Sequence, residues 1–385
     1  MQQNSGPIPY GRQEITQADI DAVVEALQSD YLTGGPRIGK FEEAFAQYVD
    51  APYAVAVSSG TAALHLCTLA LGIQPGQKVI TSPLTFAASA NCILYAGGEV
   101  DFVDIDPRTG LMDLDLLEEK LHQAEAGTYA GIIPVNYAGH PVDMERVANL
   151  AKRHGCWVLE DACHAPGGYF INQAQEVSKV GNGLFTDLAM FSLHPVKHIA
   201  AGEGGVITTR DPKLYEQLVL LRSHGITRDR SRLTEDHGGW YYEMQELGFN
   251  YRLTDIQAAL AHSQLANAAS GVERRREIAA HYREVWKGLP IQLPENVEGH
   301  AYHLFVIRTE RRKELYNFMR SHKVFVQVHY IPVHYQPYYQ RLGWKKGDFP
   351  HSEAFYNGCL SMPMYPSISD ESLKFATQIV QSFFH

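Results

Sequence analysis

Strand-length apolar runs alternate with amphipathic helix-length segments over the first two-thirds of this 385-residue chain, and that alternation leaves few folds open. Tyr53-Ala54-Val55-Ala56-Val57 reads as a strand and Ser58-Ser59-Gly60-Thr61 as a turn. A helix carrying Ala62, Ala63, Leu64, Leu66 and Leu69 follows, with Gly72 as its stop. Strand Lys78–Thr81, helix Ala87–Tyr95, strands Val100–Val103 and Gly131–Val135, helix Met144–His154 and strand Trp157–Glu160 continue the pattern. The expectation is an α/β fold whose mainly parallel sheet is covered on both faces.

Two more strands, Leu188–Ser192 and Gly205–Thr209, flank a loop that contains Lys197, and Arg252–Ala269 reads as one long helix. Near Gly271 the pattern changes. Strands Tyr302–Ile307 and Val324–Val328, separated by one helix, predict a smaller α+β domain. The expected division is a large domain over 1–270 and a small one over 271–385, tightly packed because no flexible linker joins them.

A net charge of −10 argues against nucleic acid or an anionic membrane as partner. Five scattered cysteines without C-x-x-C spacing favour a reducing compartment over a structural zinc site. The opening Met1–Pro7 has neither a basic nor an apolar region of a signal peptide, and no apolar run has membrane-spanning length. A cytoplasmic protein is expected. Eighteen histidines invite a metal, but none has a carboxylate or cysteine at ligand spacing, so no metal is expected.

Chemistry concentrates around Lys197. Glu160-Asp161 precede it and Gly202-Glu203-Gly204-Gly205 follow, an order that suits pyridoxal phosphate. An amine forms the Schiff base, a carboxylate keeps the pyridine nitrogen protonated, and glycines let the backbone pass close by. Ser59-Gly60-Thr61 stands where a strand turns into a helix, as a phosphate cradle or a plain N-cap. Phe86, after Thr85, is either a ring lying against a planar cofactor or ordinary core. Asp161 at the carboxyl end of its strand is either the pyridine partner or a helix cap. His164 packs on the ring, bonds the phenolic oxygen or is structural, and Asn250 reads from its position as a cap.

The order of these motifs resembles the fold-type-I, aspartate-aminotransferase-like pyridoxal-phosphate enzymes, and in detail the sugar-nucleotide aminotransferases of the DegT family. Tyr31-Leu32-Thr33-Gly34-Gly35-Pro36, Ser59-Gly60-Thr61-Ala62-Ala63-Leu64, Phe102-Val103-Asp104-Ile105-Asp106, Glu160-Asp161-Ala162, Gly248-Phe249-Asn250-Tyr251-Arg252 and Ser361-Met362-Pro363 carry it almost end to end. The resemblance implies a Schiff base on Lys197, Asp161 on the pyridine nitrogen and Phe86 on the ring face. It also implies phosphate contacts from Ser59, Gly60, Thr61 and Ser192, with Asn250 reaching the phosphate from the other subunit of a homodimer. His164 stands where many relatives carry glutamine.

Ile8-Pro9-Tyr10-Gly11-Arg12-Gln13, His194-Pro195-Val196-Lys197-His198 and His329-Tyr330-Ile331-Pro332-Val333-His334 resemble the subgroup that acts in pseudaminic-acid biosynthesis. That subgroup implies amination at C4 of a UDP-linked 4-keto-6-deoxy-N-acetylhexosamine of the L-altrosamine route. Glutamate would be the donor and 2-oxoglutarate the by-product, with His329 and Tyr330 on the sugar. Another nucleotide-linked 4-keto-6-deoxy sugar is the alternative. Lys197 speaks against the offshoot that dehydrates the sugar and carries histidine there. The pair Lys197 and Asp161 speaks against a regulatory or non-enzymatic sugar-nucleotide binder.

Overall fold

The computed structural model describes residues 6–385. Met1–Ser5, part of the opening read above for a signal peptide, lie outside the described residues. Helices α1 (Gln17–Leu27) and α2 (Pro36–Val49) precede strand β1 (Tyr53–Val57) and helix α3 (Gly60–Ala70). Then come β2 (Lys78–Thr81), α4 (Ala88–Tyr95), β3 (Glu99–Phe102), α5 (Leu114–Gln123), β4 (Tyr129–Ile133), α6 (Met144–His154) and β5 (Trp157–Asp161). A hairpin of β6 (Tyr169–Ile171) and β7 (Val177–Lys179) leads to β8 (Leu188–Ser192), β9 (Gly205–Thr209) and α7 (Pro212–Leu221).

Seven of these strands form one sheet in the order β1-β9-β8-β5-β4-β2-β3. All run the same way except β9, which is antiparallel to both β1 and β8. Side chains alternate between the sheet's two faces. Ala54, Ala56, Phe191 and Val206 enter one apolar cluster with Phe41 and Phe45 of α2, whereas Val55, Val57, Met190 and Ile207 enter another with Leu64 and Leu66 of α3. Helices therefore cover both faces, and the strands' carboxyl ends stay open at one edge.

The short pair β10 (Ile226–Thr227) and β11 (Glu243–Met244) lies in the segment before α8 (Asp255–Ala266). The long helix expected over Arg252–Ala269 starts later, at Asp255. There Thr254 and Gln257 form a capping box, and the Asp255 carboxylate accepts the N–H groups of Gly35 (2.7 Å) and Arg37 (3.0 Å) at the start of α2. Asn267 then turns the chain into α9 (Ala268–Val285), so the border expected at 270–271 falls in that helix's first turn.

Ala268 packs with the first sheet cluster, while Ile278, Ala279 and Tyr282 of the same helix enter a separate apolar cluster. Contributing to the latter are β12 (Phe305–Arg308) and α10 (Arg312–Ser321). Helices α11 (Pro337–Arg341) and α12 (Pro350–Gly358) come next; then β13 (Cys359–Met362) pairs antiparallel with β12, and α13 (Asp370–Phe384) closes the chain. Val324–Val328 is not a strand. Val324 bridges Ile8 and Gln327 bridges Ser361, so its backbone bonds divide between two neighbours and no ladder forms.

Candidate active site

The open edge of the sheet assembles the residues that carry chemistry. β1 ends at Val57, and Ser59 caps the eleven-residue α3 by accepting the Ala62 N–H with Oγ at 3.0 Å. Gly60 and Thr61 form the first turn, where the positive end of the helix dipole lies. Ser192 ends β8 opposite them: a Cβ on Gly60 would meet Ser192 Cβ at 3.1 Å and Oγ at 3.3 Å. At Gly205 a Cβ would meet the Ser59 carbonyl oxygen at 2.6 Å, which explains the glycine where β9 passes behind the cradle.

Asp161 is the last residue of β5 and is 5% exposed. Its Oδ1 accepts the Cys163 N–H at 3.1 Å, and its Oδ2 accepts the Ser89 hydroxyl at 2.7 Å. Ser89 in turn lies 2.9 Å from the Thr85 hydroxyl. These bonds hold the carboxylate plane and leave lone pairs for one further donor. Phe86, next to Thr85, is 60% exposed, and its ring lies 6.1 Å from that of Tyr330.

Lys197 sits half-buried in the loop between β8 and β9, its backbone N–H bonded to the His194 carbonyl at 2.8 Å. Burial pushes its ammonium below the usual lysine range, against the attraction of Cys163 and Asp161. His164, His198, His303 and His329 surround it, and burial holds each well below the ordinary histidine value. The neighbouring lysine charge adds to each shift. The amine thus stands among neutral rings.

His164 Nδ1 accepts the Ala138 N–H at 3.2 Å, and Nε2 lies 3.0 Å from the Tyr330 hydroxyl. The neutral ring therefore carries its proton on Nε2 and donates it to Tyr330, a tautomer assigned from its partners. The Tyr330 O–H is left free to turn into the cavity. Burial raises the Tyr330 phenol, with Cys163 and Asp161 adding to the effect, so it stays protonated. His329 Nδ1 lies 2.8 Å from Ser361 Oγ, and its carbonyl accepts the Tyr137 hydroxyl at 2.5 Å.

One cavity of about 430 Å³ is lined by Ser59, Gly60, Thr61, Phe86, Asp161, His164, Ser192, Lys197, His329 and Tyr330. It brings together every residue that the sequence reading placed on cofactor or sugar except Asn250, which is exposed and bridges Ser223. A second cavity of about 330 Å³ shares Tyr10, Thr85, Phe86, His329 and Tyr330 with the first and adds Gln327 and Gln336. The residues fit pyridoxal phosphate: a hydroxyl-lined helix start suits the phosphate, Asp161 suits a ring N–H, and an amine of lowered basicity suits the aldehyde carbon. Sequence reasoning missed Ser89, Tyr10, Cys163 and His303 in this wall. Among the described residues no group of three or more His, Cys, Asp or Glu is arranged to hold a metal ion.

The sequence profile of the DegT/DnrJ/EryC1/StrS aminotransferase family matches residues 13–382. The spore coat polysaccharide biosynthesis protein SpsC of Bacillus subtilis is 37% identical over 377 residues, 95% of this chain and 94% of that protein. The UDP-4-amino-4,6-dideoxy-N-acetyl-beta-L-altrosamine transaminase of Campylobacter jejuni (strain NCTC 11168) is 35% identical over 377 residues, covering 96% of this chain and 95% of that protein. Among solved structures, PseC of Helicobacter pylori, an aminotransferase involved in the biosynthesis of pseudoaminic acid, superposes with a TM-score of 0.88 at 30% identity. That superposition covers 98% of this chain and 99% of that one.

Proposed function

The chain belongs to the DegT/DnrJ/EryC1/StrS family of pyridoxal-phosphate-dependent aminotransferases, and from that premise we propose that its acceptor is a UDP-linked 4-keto-6-deoxy-N-acetylhexosamine of the L-altrosamine series, with glutamate as donor. One observation carries the reading. The Lys197 cavity shares Tyr10, Thr85, Phe86, His329 and Tyr330 with a second space, where Gln327 and Gln336 stand beside the apolar Ala87, Val328, Ile331 and Val333, a mixed wall suited to the polar edges and apolar faces of a sugar ring. The likeness to the Campylobacter altrosamine transaminase and to the Helicobacter aminotransferase of pseudoaminic-acid biosynthesis supports this choice of sugar.

Bound pyridoxal phosphate supplies an electron sink that carries the amino group between two carbon skeletons. Ser59, Thr61, Ser192 and the start of α3 would hold its phosphate, and Asp161 would accept from its ring nitrogen. Lys197 is the residue that would anchor it and then move the substrate proton. Burial lowers the basicity of that amine, which eases its return of a proton once accepted. Tyr330, whose oxygen accepts from His164, would offer its neutral O–H to the sugar oxygen at the reacting carbon.

We also assign the working unit as a homodimer. Trp240, Tyr242, Met244 and Leu247 are exposed in the segment that ends at Asn250, an apolar surface suited to a second copy. Asn250 lies outside its own cavity and would reach the phosphate of the partner's. The test of the function is glutamate-dependent turnover of the UDP-linked keto sugar by the wild-type protein. Lys197→Ala should retain cofactor and lose that turnover.

A further inference from the structure

A third cavity, of about 300 Å³, abuts Lys197 on a different side from the substrate space, and the two share no other residue. Three arginines, Arg12, Arg274 and Arg275, line it beside Lys197, against the single acid Glu14. Arg274 is already paired with Glu277 and Asp370. Arg275 is not. It is 2% exposed and has no ion-pair partner among the described residues. One terminal nitrogen, Nη1, donates to the carbonyls of Tyr302, His303 and Met364, while Nε has no partner.

A buried guanidinium without a counter-ion is costly, and burial pulls its pKa down to about 10. The start of the eighteen-residue α9 faces the same space through Asn267, Ala268 and Ser270, and no side chain caps it. Helix dipole and unpaired arginine therefore ask for the same thing. Arg12, also without an ion pair among the described residues, adds a flexible cation at the rim.

We propose that this cavity is a carboxylate-binding subsite beside Lys197, taking one carboxylate of a small dicarboxylate against Arg275, Arg12 and the start of α9. Planar, forked guanidinium groups match a carboxylate's two oxygens. Two sources share that chemistry: the distal carboxylate of the amino donor, and a free dicarboxylate held next to the lysine. The assignment rests on the aminotransferase reading only for the first source.

Succinate, which carries neither the amine nor the ketone needed to react, is the probe. Its binding to the cofactor-loaded protein is measured by calorimetry. Arg275→Met risks the fold because three carbonyls lose their donor, so the variants are Arg12→Gln and Ser270→Glu. The second puts a carboxylate in the first turn of α9, where the dipole favours it. Each should weaken succinate about tenfold or more, the scale of one lost charge-assisted contact.

A parallel rise in KM for glutamate, with KM for alanine and for the keto sugar unmoved, identifies the donor's distal carboxylate. Weaker succinate binding with an unmoved glutamate KM identifies a free dicarboxylate. Succinate binding that is absent in the wild type, or equal in all three proteins, overturns the subsite. Because succinate binding needs no turnover, a wrong sugar assignment leaves this result intact.

Discussion

Ser89 in helix α4 donates its hydroxyl to Asp161 Oδ2 at 2.7 Å, tying a helix on the sheet's flank to the carboxylate at the end of β5. A hydrogen bond to a charged group contributes about 1.5–3 kcal/mol, so its loss is felt in how firmly that carboxylate faces its ligand. Ser89→Ala should lower kcat by about tenfold while cofactor stays bound. Ser89→Thr, which keeps the hydroxyl, should recover most of it. Equal activity of the alanine variant and the wild type would remove Ser89 from the site.

The His164–Tyr330 pair makes a second test. Tyr330→Phe leaves the buried Nε2–H of His164 without its partner, which costs about 1–3 kcal/mol of stability. The melting temperature should fall and turnover should drop at least about tenfold, because the cavity loses its phenolic donor. His164→Gln combined with Tyr330→Phe should cost less than the two single losses added, as expected of residues in contact. Additive losses would show that the two act separately.

Stability should fall as pH drops below the unfolded histidine value of about 6.5. His140, His164, His300, His303 and His329 are buried and His198 is half-buried, all with lowered values, His140 to about 4 and His329 to about 3. The unfolded chain takes up protons there that the folded one refuses, so unfolding is favoured. Each histidine adds up to about 1.4 kcal/mol per pH unit. Glu160 works in the other direction. Burial raises it to about 7, so its contribution is present below about 4.5 and lost as pH rises towards 7. One carboxyl does not offset six rings. Denaturant midpoints should therefore be lower at pH 5.5 than at 7.5, and a flat profile would show that the rings are charged in the native protein.

Cross-subunit action of Asn250 is tested by complementation. Hybrids of Lys197→Ala and Asn250→Ala protomers carry one site with both wild-type residues. Mixed dimers should recover up to about half of the wild-type activity if each parent is inactive and binding energy is shared across the interface. No recovery in hybrids confirmed by mass would leave Asn250 as a structural residue of its own chain.

Much of this was legible in the sequence because local signals and tertiary packing agree. Met144–His154 is read with both ends correct: Asp143 caps its start and Gly155, left-handed at φ 68°, closes it. The sheet core followed from strand-length apolar runs in the same way. The late start of α8 was also written locally, in Thr254 and Gln257, but the apolar pattern ran past that capping box. Val324–Val328 misled because β-branched residues suit any extended backbone, whether or not a ladder forms.

In the site, Lys197, Asp161 and Ser59-Gly60-Thr61 stood out because turns and strand ends mark them. Ser89 did not. It lies 72 residues from Asp161, within an otherwise ordinary helix, and only the packing of α4 makes it a neighbour. Arg275 was hidden likewise, since a helical arginine reads as a solvated charge until its burial is known.

Initial rates of 2-oxoglutarate release with glutamate test the central claim most directly. The acceptors are the UDP-linked 4-keto-6-deoxy-N-acetyl sugar of L-arabino configuration and its D-xylo C5 epimer. A site that hydrogen-bonds sugar hydroxyls rejects the wrong epimer strongly, because the polar groups that would meet those hydroxyls, on the proposed reading His329 and Tyr330, would lose their partners. The L-arabino sugar should react at least about a hundredfold faster in kcat/KM. A preference for the D-xylo sugar, or no release with either, would contradict the substrate assignment.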